Sequence, residues 1–147
     1  MNESFIPMVL KYSLAFVVLA VVLPSCVSVT PVSYKKDTAA AVDAMTRYRA
    51  LFNEERYEDL YKMTDPRAKA TKSKDAFIDL TRTIRTQLGK AVNPLLVDTK
   101  VEPKATFTEV TLTYETTFEN GIQRELFVWY VAKDTAGLYS FTILPNE

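Results

Sequence analysis

The sequence predicts an α+β domain in which three N-terminal helices pack on a curved antiparallel sheet of about four strands. Apolar residues recur every three or four positions between residues 42 and 88, as they do on one face of a helix. Between residues 95 and 144 they alternate with polar residues, as in half-buried strands. An Asn-Gly pair at 120–121 lies within that alternation and is typical of a two-residue type I′ hairpin.

Residues 1–25 are interpreted as a signal peptide that is removed. The apolar run from Tyr12 to Leu23 is shorter than the roughly 20 residues that a membrane-spanning helix needs. The sequence Leu23-Pro24-Ser25-Cys26 resembles the lipobox of bacterial lipoproteins, in which the cysteine becomes the lipidated first residue. Pro24 departs from that pattern, because its position more often carries Ala, Ser, Thr or Val. Ordinary cleavage a few residues later and a retained membrane anchor are the two alternatives.

The lipobox resemblance implies a bacterial cell-envelope protein that is held to the membrane by the lipid on Cys26. The residue after the cysteine is Val27 and not Asp, which would signal retention in the inner membrane. In an organism with two membranes, the resemblance therefore implies an anchor in the outer membrane, facing the periplasm. We interpret residues 26–37 as the lipidated cysteine and a short tether, and residues 38–147 as the folded domain. Cys26 is the only cysteine, so an intrachain disulfide cannot form.

Composition excludes several classes of function. The chain has no histidine, which removes histidine acid–base catalysis, Ser-His-Asp triads, Cys-His pairs and His-containing metal sites. Lys plus Arg number 18 and Asp plus Glu number 18, so no overall positive charge attracts nucleic acid. No glycine-rich phosphate-binding loop is present. We therefore expect no cofactor, no metal and no nucleic-acid partner.

The first two helices are predicted from their apolar spacing. The first has Asp37 or Thr38 as its cap, ends near Asn53 and carries one apolar face, which consists of Val42, Met45, Tyr48 and Phe52. The second carries Tyr57, Leu60 and Tyr61 and ends at Asp65-Pro66, because the residue before a proline disfavours helix. The basic segment 67–72 follows and is interpreted as a solvated turn, with an anion-binding patch as the alternative.

The third helix has the clearest boundaries in the sequence. Ser73 can cap it, and Asp75 lies in the first turn, where the helix dipole favours negative charge. Gly89 supplies the left-handed residue that ends it. Its predicted apolar face consists of Phe77, Leu80, Ile84 and Leu88.

The strands are predicted from alternation and from the Asn120-Gly121 turn. A first strand over 95–102 follows a break at Asn93-Pro94, and a loop over 133–137 precedes the last strand, 138–144. The turn pairs Glu119 with Ile122. On the core face this register places Tyr114 opposite Phe127, Leu112 opposite Trp129, and Val110 opposite Val131. On the outer face it places Thr117 opposite Arg124, Glu115 opposite Leu126, Thr113 opposite Val128, and Thr111 opposite Tyr130. The expected pairing of Val131 with Tyr139 adds Tyr139, Phe141 and Ile143 to the core face.

This order of elements resembles a known superfamily. The helical run over 52–61, the third helix ending Ile84-Arg85-Thr86-Gln87-Leu88-Gly89, and the meander containing Phe118-Glu119-Asn120-Gly121 are similar to the nuclear transport factor 2-like (cystatin-like cone) superfamily. The likeness extends over about residues 38–144 and is greatest to bacterial secreted and lipoprotein branches of unknown function. It implies a cone-shaped α+β fold and no particular chemistry. Some enzymes of the superfamily place Asp, His or Tyr inside the cone, but here no acid matches such a motif.

The first functional hypothesis is a non-catalytic envelope lipoprotein whose domain binds a small hydrophobic ligand or a protein partner. The candidate ligand-binding residues are Tyr48, Tyr61, Tyr114 and Trp129, which would leave phenolic hydroxyls at the rim of a pocket. The alternative is that these aromatic side chains fill the core.

Two further hypotheses belong to other classes. An isomerase-like or lyase-like enzyme would use a pocket carboxylate and Tyr114 as hydrogen-bond donor, with Glu109, Glu115, Asp59 or Asp79 as the base. The alternative is that these four carboxylates are solvated surface groups with no catalytic role. An assembly or immunity module would instead dock to an envelope complex. Leu126, Val128 and Tyr130 on the outer sheet face are the predicted surface for a second copy or an envelope protein, since superfamily members often pair there.

Overall fold

The computed structural model describes residues 31–145, which contain four helices followed by a four-stranded antiparallel sheet. The helices are α1 (Pro31–Asn53), α2 (Tyr57–Lys62), α3 (Pro66–Lys69) and α4 (Lys74–Leu88). The strands are β1 (Ala91–Pro103), β2 (Thr108–Phe118), β3 (Gly121–Ala132) and β4 (Thr135–Leu144), neighbours in chain order. α1 crosses one face of the sheet, which we call the inner face, α2 and α4 pack on α1, and α3 packs on β4.

The predicted α+β class is therefore confirmed, while the predicted leader and Cys26 lie outside the described residues. Within residues 31–145, no helix is long and apolar enough to cross a bilayer.

Residues 31–36 already belong to α1, so the predicted cap at Asp37 or Thr38 is wrong. The Asp37 carboxylate instead accepts a hydrogen bond from the Thr108 hydroxyl at 2.6 Å. The predicted end at Asn53 is confirmed.

The segment 67–72, predicted to be irregular, contains most of α3, so the prediction of three helices is one helix short. Asp65 caps α3 by accepting a hydrogen bond from the Arg67 N–H at 2.9 Å, and Pro66 takes the first helical position. The Asp65-Pro66 pair that ends α2 therefore also begins the next helix.

Both predicted ends of α4 are confirmed. The Ser73 hydroxyl accepts a hydrogen bond from the Ala76 N–H at 3.2 Å, and Gly89 ends the helix with φ of 79°. The predicted apolar face needs one correction: Leu80 is 45% exposed, and Thr81 is fully buried instead. The Thr81 hydroxyl is satisfied by donating to the Phe77 carbonyl at 2.8 Å.

The β2–β3 register differs from the predicted one by two residues. Leu112 lies opposite Phe127 and Val110 opposite Trp129. All eight predicted pairs are therefore wrong, but the residues of both strands keep their predicted faces, because a shift of two preserves the alternation. The observed outer-face pairs are Thr117 with Ile122, Glu115 with Arg124, Thr113 with Leu126, Thr111 with Val128, and Glu109 with Tyr130.

The β2–β3 turn consists of Glu119 and Asn120, neither of which has the positive φ that a type I′ turn requires. Both residues instead bind the end of α4. The Asn120 N–H donates to the Leu88 carbonyl at 3.0 Å, and the Glu119 carboxylate accepts from the Lys90 N–H at 2.8 Å. These contacts with α4 explain why the loop lies one residue earlier than predicted.

β3 and β4 are joined by a tight turn where a loop over 133–137 was predicted. Lys133 and Asp134 have φ of 50° and 64°, the sign that a type I′ turn requires at both positions. Further along, Trp129 pairs with Leu138 but Val128 pairs with Ser140, so Tyr139 is the extra residue of a β-bulge.

Because of the bulge, two neighbouring residues of β4 lie on the faces of the sheet opposite to those predicted from the sequence. Leu138 is 1% exposed and joins the core, while Tyr139 is 37% exposed and stacks on Tyr130 of the outer face at 4.2 Å. The expected pairing of Val131 with Tyr139, and the core position of Tyr139, are both wrong. Phe141 pairs with Phe127 and keeps its predicted inner position.

β1 starts at Ala91 and runs through Asn93-Pro94, which was predicted to be a break. Proline is tolerated there because β1 is an edge strand with one unpaired side. The N-terminal half of β1 leaves its apolar side chains exposed, namely Val92, Leu95, Leu96 and Val97.

Candidate functional site

Three of the four predicted ligand-binding residues lie in the core. Tyr48, Tyr114 and Trp129 are 2%, 7% and 0% exposed. The Tyr48 ring packs edge-on against Phe127, with centroids 5.3 Å apart, and against Trp129 at 6.5 Å. None of these three residues lines the cavity described next, whereas the fourth, Tyr61, does.

A cavity of about 230 Å³ lies between α2, α3, α4 and β4, and we call it the apolar cavity. Its aromatic walls are Tyr61, Phe77 and Phe141, with the Phe77 centroid 5.6 Å from that of Tyr61 and 6.3 Å from that of Phe141. The remaining apolar lining consists of Ala68, Ala76, Leu80 and Leu138, and Tyr139 also borders the cavity. The exposed Ala76 and Leu80 place the opening at the solvent side of α4.

Few polar groups face the apolar cavity. Among the described residues that line it, Lys72 alone is charged, and Thr64 and Ser140 contribute hydroxyls. Thr64 is 7% exposed, and its Oγ1 has no hydrogen-bond partner within residues 31–145. The lining contains no carboxylate. Its chemistry therefore suits an apolar molecule better than a reaction that needs an acidic or basic catalyst.

A buried ion pair lies elsewhere on the inner face. Arg49 of α1 and Glu125 of β3 are 8% and 3% exposed. Arg49 Nη1 donates to Glu125 Oε1 at 3.1 Å, Nη2 contacts Oε2, and Nη2 also donates to the Thr116 hydroxyl at 3.0 Å. The guanidinium carbon lies 5.1 Å from the centroid of Phe127, so the charge is enclosed by aromatic side chains.

This ion pair was not predicted from the sequence, although one signal for it was present. Glu125 alternates with Phe127 and Trp129, which places all three on the inner face. Arg49 lies four residues after Met45 of the first apolar helical face. A charge at an inward position of each element indicates a buried partner, because an unpaired buried charge is strongly disfavoured.

Burial raises the pKa of the Tyr114 hydroxyl, with the Arg49 charge acting in the opposite direction and Glu125 reinforcing the rise. The pKa of Tyr48 is raised for the same reasons. Both phenols therefore keep their protons at neutral pH.

The four candidate bases lie away from the apolar cavity. Asp79 and Glu115 are exposed, and Glu109 is half-buried on the outer face. Hydrogen bonds from Lys62, at 2.7 Å, and from Arg56 lower the pKa of Asp59, so this carboxylate stays ionised and bound to its cations.

The predicted docking surface on the outer face is half-buried at Leu126, Val128 and Tyr130. Tyr130 packs between Phe107, at 4.3 Å between centroids, and Tyr139. Burial, followed by the hydrogen bond with Tyr139, raises the pKa of Tyr130 to about 12. Part of this face is therefore covered by the chain's own aromatic side chains.

The fold and the cavity together define a small α+β domain with an apolar site of ligand size. Within residues 31–145, no three His, Cys, Asp or Glu side chains are placed to hold a metal ion. No protein-family model matches the chain, and no curated protein has a significant match to its sequence.

Proposed function

We propose that this chain is a membrane-anchored envelope lipoprotein whose domain binds a small hydrophobic ligand without catalysis. The observation that supports ligand binding is the apolar cavity, with Tyr61, Phe77 and Phe141 as its aromatic walls. An engineered apolar cavity of about 150 Å³ in another protein stays dry and accepts benzene. A cavity of about 230 Å³ therefore suits a molecule of one ring with substituents, or two fused rings.

The chemistry of the lining supports binding over the isomerase-like or lyase-like alternative. That alternative needs a carboxylate beside the ligand, and no residue of the lining supplies one. Glu125 is buried and lies opposite Tyr114, but both of its oxygens contact the Arg49 guanidinium, which also donates to the Thr116 hydroxyl. A neutralised carboxylate held in the core is poorly placed to remove a proton from a ligand.

A second candidate, an assembly module that docks to a protein partner, is supported by a different observation. Val92, Leu95, Leu96 and Val97 leave an apolar stretch exposed on the edge strand β1. Such edges are templates for pairing with another chain, and proteins usually protect them. This candidate and ligand binding do not exclude each other, since β1 does not line the apolar cavity.

Replacing Ala76 by tryptophan is expected to abolish binding of a small aromatic probe. Ala76 lines the apolar cavity from the exposed side of α4, so an indole ring there occupies the probe's volume without entering the core. We would titrate the full chain in lipid nanodiscs with free indole and follow the methyl resonances of Leu138 and Ala68. Ala50→Trp, at an exposed position of α1, is the control for an added surface tryptophan.

Wild type and Ala50→Trp are expected to show saturable shifts confined to the cavity methyls, and Ala76→Trp none. The absence of such shifts in wild type, or equal shifts in both variants, would contradict ligand binding in this cavity.

Cys26→Ala is expected to abolish membrane attachment. A diacylglyceryl group adds about 0.8 kcal/mol of membrane affinity per buried methylene, and no other anchor is expected after cleavage of the leader. Intact-mass analysis should show loss of the lipid, and fractionation should move the chain from the membrane to the soluble fraction. Ser28→Ala, two residues further on, should behave as wild type. Unchanged retention of Cys26→Ala would refute the lipid anchor.

A further inference from the structure

A second, more open groove of about 600 Å³ lies between the α2–α3 region and the β3–β4 hairpin, and we call it the basic groove. Its cations come from three helices: Arg47 of α1, Lys62 of α2, and Arg67 and Lys69 of α3. Its only carboxylate among the described lining residues is Asp65. Because the whole chain carries no net charge, this concentration of positive charge is local.

Half of the cations in the basic groove are not neutralised within the described part of the protein. Asp65 is 8% exposed and is held by the Arg67 N–H as the cap of α3, with Arg67 Nε 3.9 Å from its Oδ1. Lys62 is paired with Asp59 at 2.7 Å. Within the described part of the chain, Arg47 and Lys69 have no carboxylate within 4.0 Å. Two of the four cations therefore lack a countercharge.

Arg67 is held in place by aromatic rings. Its guanidinium carbon lies 4.1 Å from the centroid of Phe107 and 5.1 Å from that of Tyr130. Stacking engages the face of the guanidinium and leaves its N–H edge available, which is how arginine is presented to carboxylates and phosphates.

Thr64, which lines the apolar cavity, also lines the basic groove. Thr64 Oγ1 has no hydrogen-bond partner within residues 31–145, and the residue is more than nine-tenths buried. Buried polar groups almost always have a partner, so this hydroxyl is available to donate to an anion bound in the groove.

We propose that the basic groove binds a small oxyanion, a carboxylate or a phosphate group. Arg67 and Lys69 neutralise it, Arg47 closes the groove from α1, and the Thr64 hydroxyl donates a further hydrogen bond. The segment 67–72, interpreted from the sequence as a solvated turn or an anion-binding patch, belongs in part to this site. The anion can come from two sources, a soluble molecule or the headgroup of an anionic phospholipid in the membrane that carries the anchor.

The test is a titration of the full chain in nanodiscs of neutral phosphatidylcholine with inorganic phosphate and, separately, acetate, followed by the amide resonances of Gly137, Ala136 and Arg67. Saturable shifts are expected in wild type, and Arg67→Gln is expected to weaken binding about tenfold, as for loss of a charge-assisted hydrogen bond. Arg82→Gln is the matched control, because Arg82 also stacks on a ring, that of Tyr57 at 5.5 Å, but outside the groove.

Two further variants keep the proposal testable if Arg67→Gln does not fold. Arg47→Gln and Lys69→Gln remove cations that make no ion pair within residues 31–145, and each should also weaken phosphate binding. Thr64→Val keeps the side-chain shape, removes the hydroxyl and should weaken binding further.

Nanodiscs that contain phosphatidylglycerol separate the two sources. Shifts of the same amides without added phosphate, lost in Arg67→Gln, would identify a lipid headgroup, and shifts only with the added anions would identify a soluble ligand. No shift with any probe, or equal shifts in wild type, Arg67→Gln and Lys69→Gln, would overturn the proposal. Because the apolar cavity is probed separately with indole, failure here leaves the proposed function standing.

Discussion

Arg49→Met is expected to lower the free energy of unfolding by about 3–5 kcal/mol, because it leaves the Glu125 carboxylate buried without its countercharge. Glu125 is 3% exposed and takes both of its oxygen contacts from the Arg49 guanidinium. Methionine preserves the unbranched, apolar part of the side chain that packs against Phe127. The measured loss of stability therefore reflects the missing charge and its hydrogen bonds. Urea unfolding of the full chain in nonionic detergent, followed by far-UV circular dichroism, measures it.

The double variant Arg49→Met/Glu125→Leu separates this mechanism from a general packing defect. Replacing both members of a buried ion pair by apolar residues is often neutral or stabilising, so most of the lost stability should return. Arg82→Met removes an exposed pair with Asp79 and should cost about 0–1 kcal/mol. A single variant as stable as wild type, or a double variant as unstable as the single one, would contradict the role of the pair.

Trp129→Ala is expected to destabilise the domain by about 3–5 kcal/mol, since it removes a fully buried side chain and leaves a cavity. Trp129 packs against Tyr48 at the centre of the inner face, where α1 crosses the sheet. Its Nε1 has no hydrogen-bond partner within residues 31–145, so the indole pays a desolvation penalty that phenylalanine would not. Trp129→Phe should therefore cost only about 1–2 kcal/mol.

The same urea titration distinguishes the two variants, with circular dichroism as the signal because Trp129 is the only tryptophan. Ile122→Ala, at a position that is 56% exposed, should change stability by less than about 1 kcal/mol. Equal losses for Trp129→Phe and Trp129→Ala would contradict this prediction, because a benzene ring would then recover none of the stability that the buried indole provides.

The α+β class and the helix ends that depend on near neighbours could be predicted from the sequence. The Ser73 cap bonds a residue three positions away, and Gly89 ends α4 through its own φ. The inner and outer positions of β2 and β3 were also predicted, because alternation depends only on the order of residues. The short helix α3 was missed, since four residues carry too little periodicity to be recognised.

The candidate site was predicted only in part, for a related reason. Tyr61 lines the apolar cavity, but the other walls come from α4 and β4, and their meeting depends on α3 and on the bulge at Tyr139. The basic groove likewise brings Arg47 and Arg67 together from separate helices. No local pattern in the sequence specifies which residues of separate elements come together.

What the sequence by itself determined is the set of properties that arise within a few residues: the helical and strand periods, the two ends of α4, and the inner and outer positions of β2 and β3. Tertiary structure decided the β2–β3 register, because Asn120 binds the Leu88 carbonyl at the end of α4 in place of forming a type I′ turn. It also decided that Glu125 could be buried, since its countercharge on Arg49 lies 76 positions away in the chain. Contacts of that separation depend on the packing of whole elements, which local sequence does not specify.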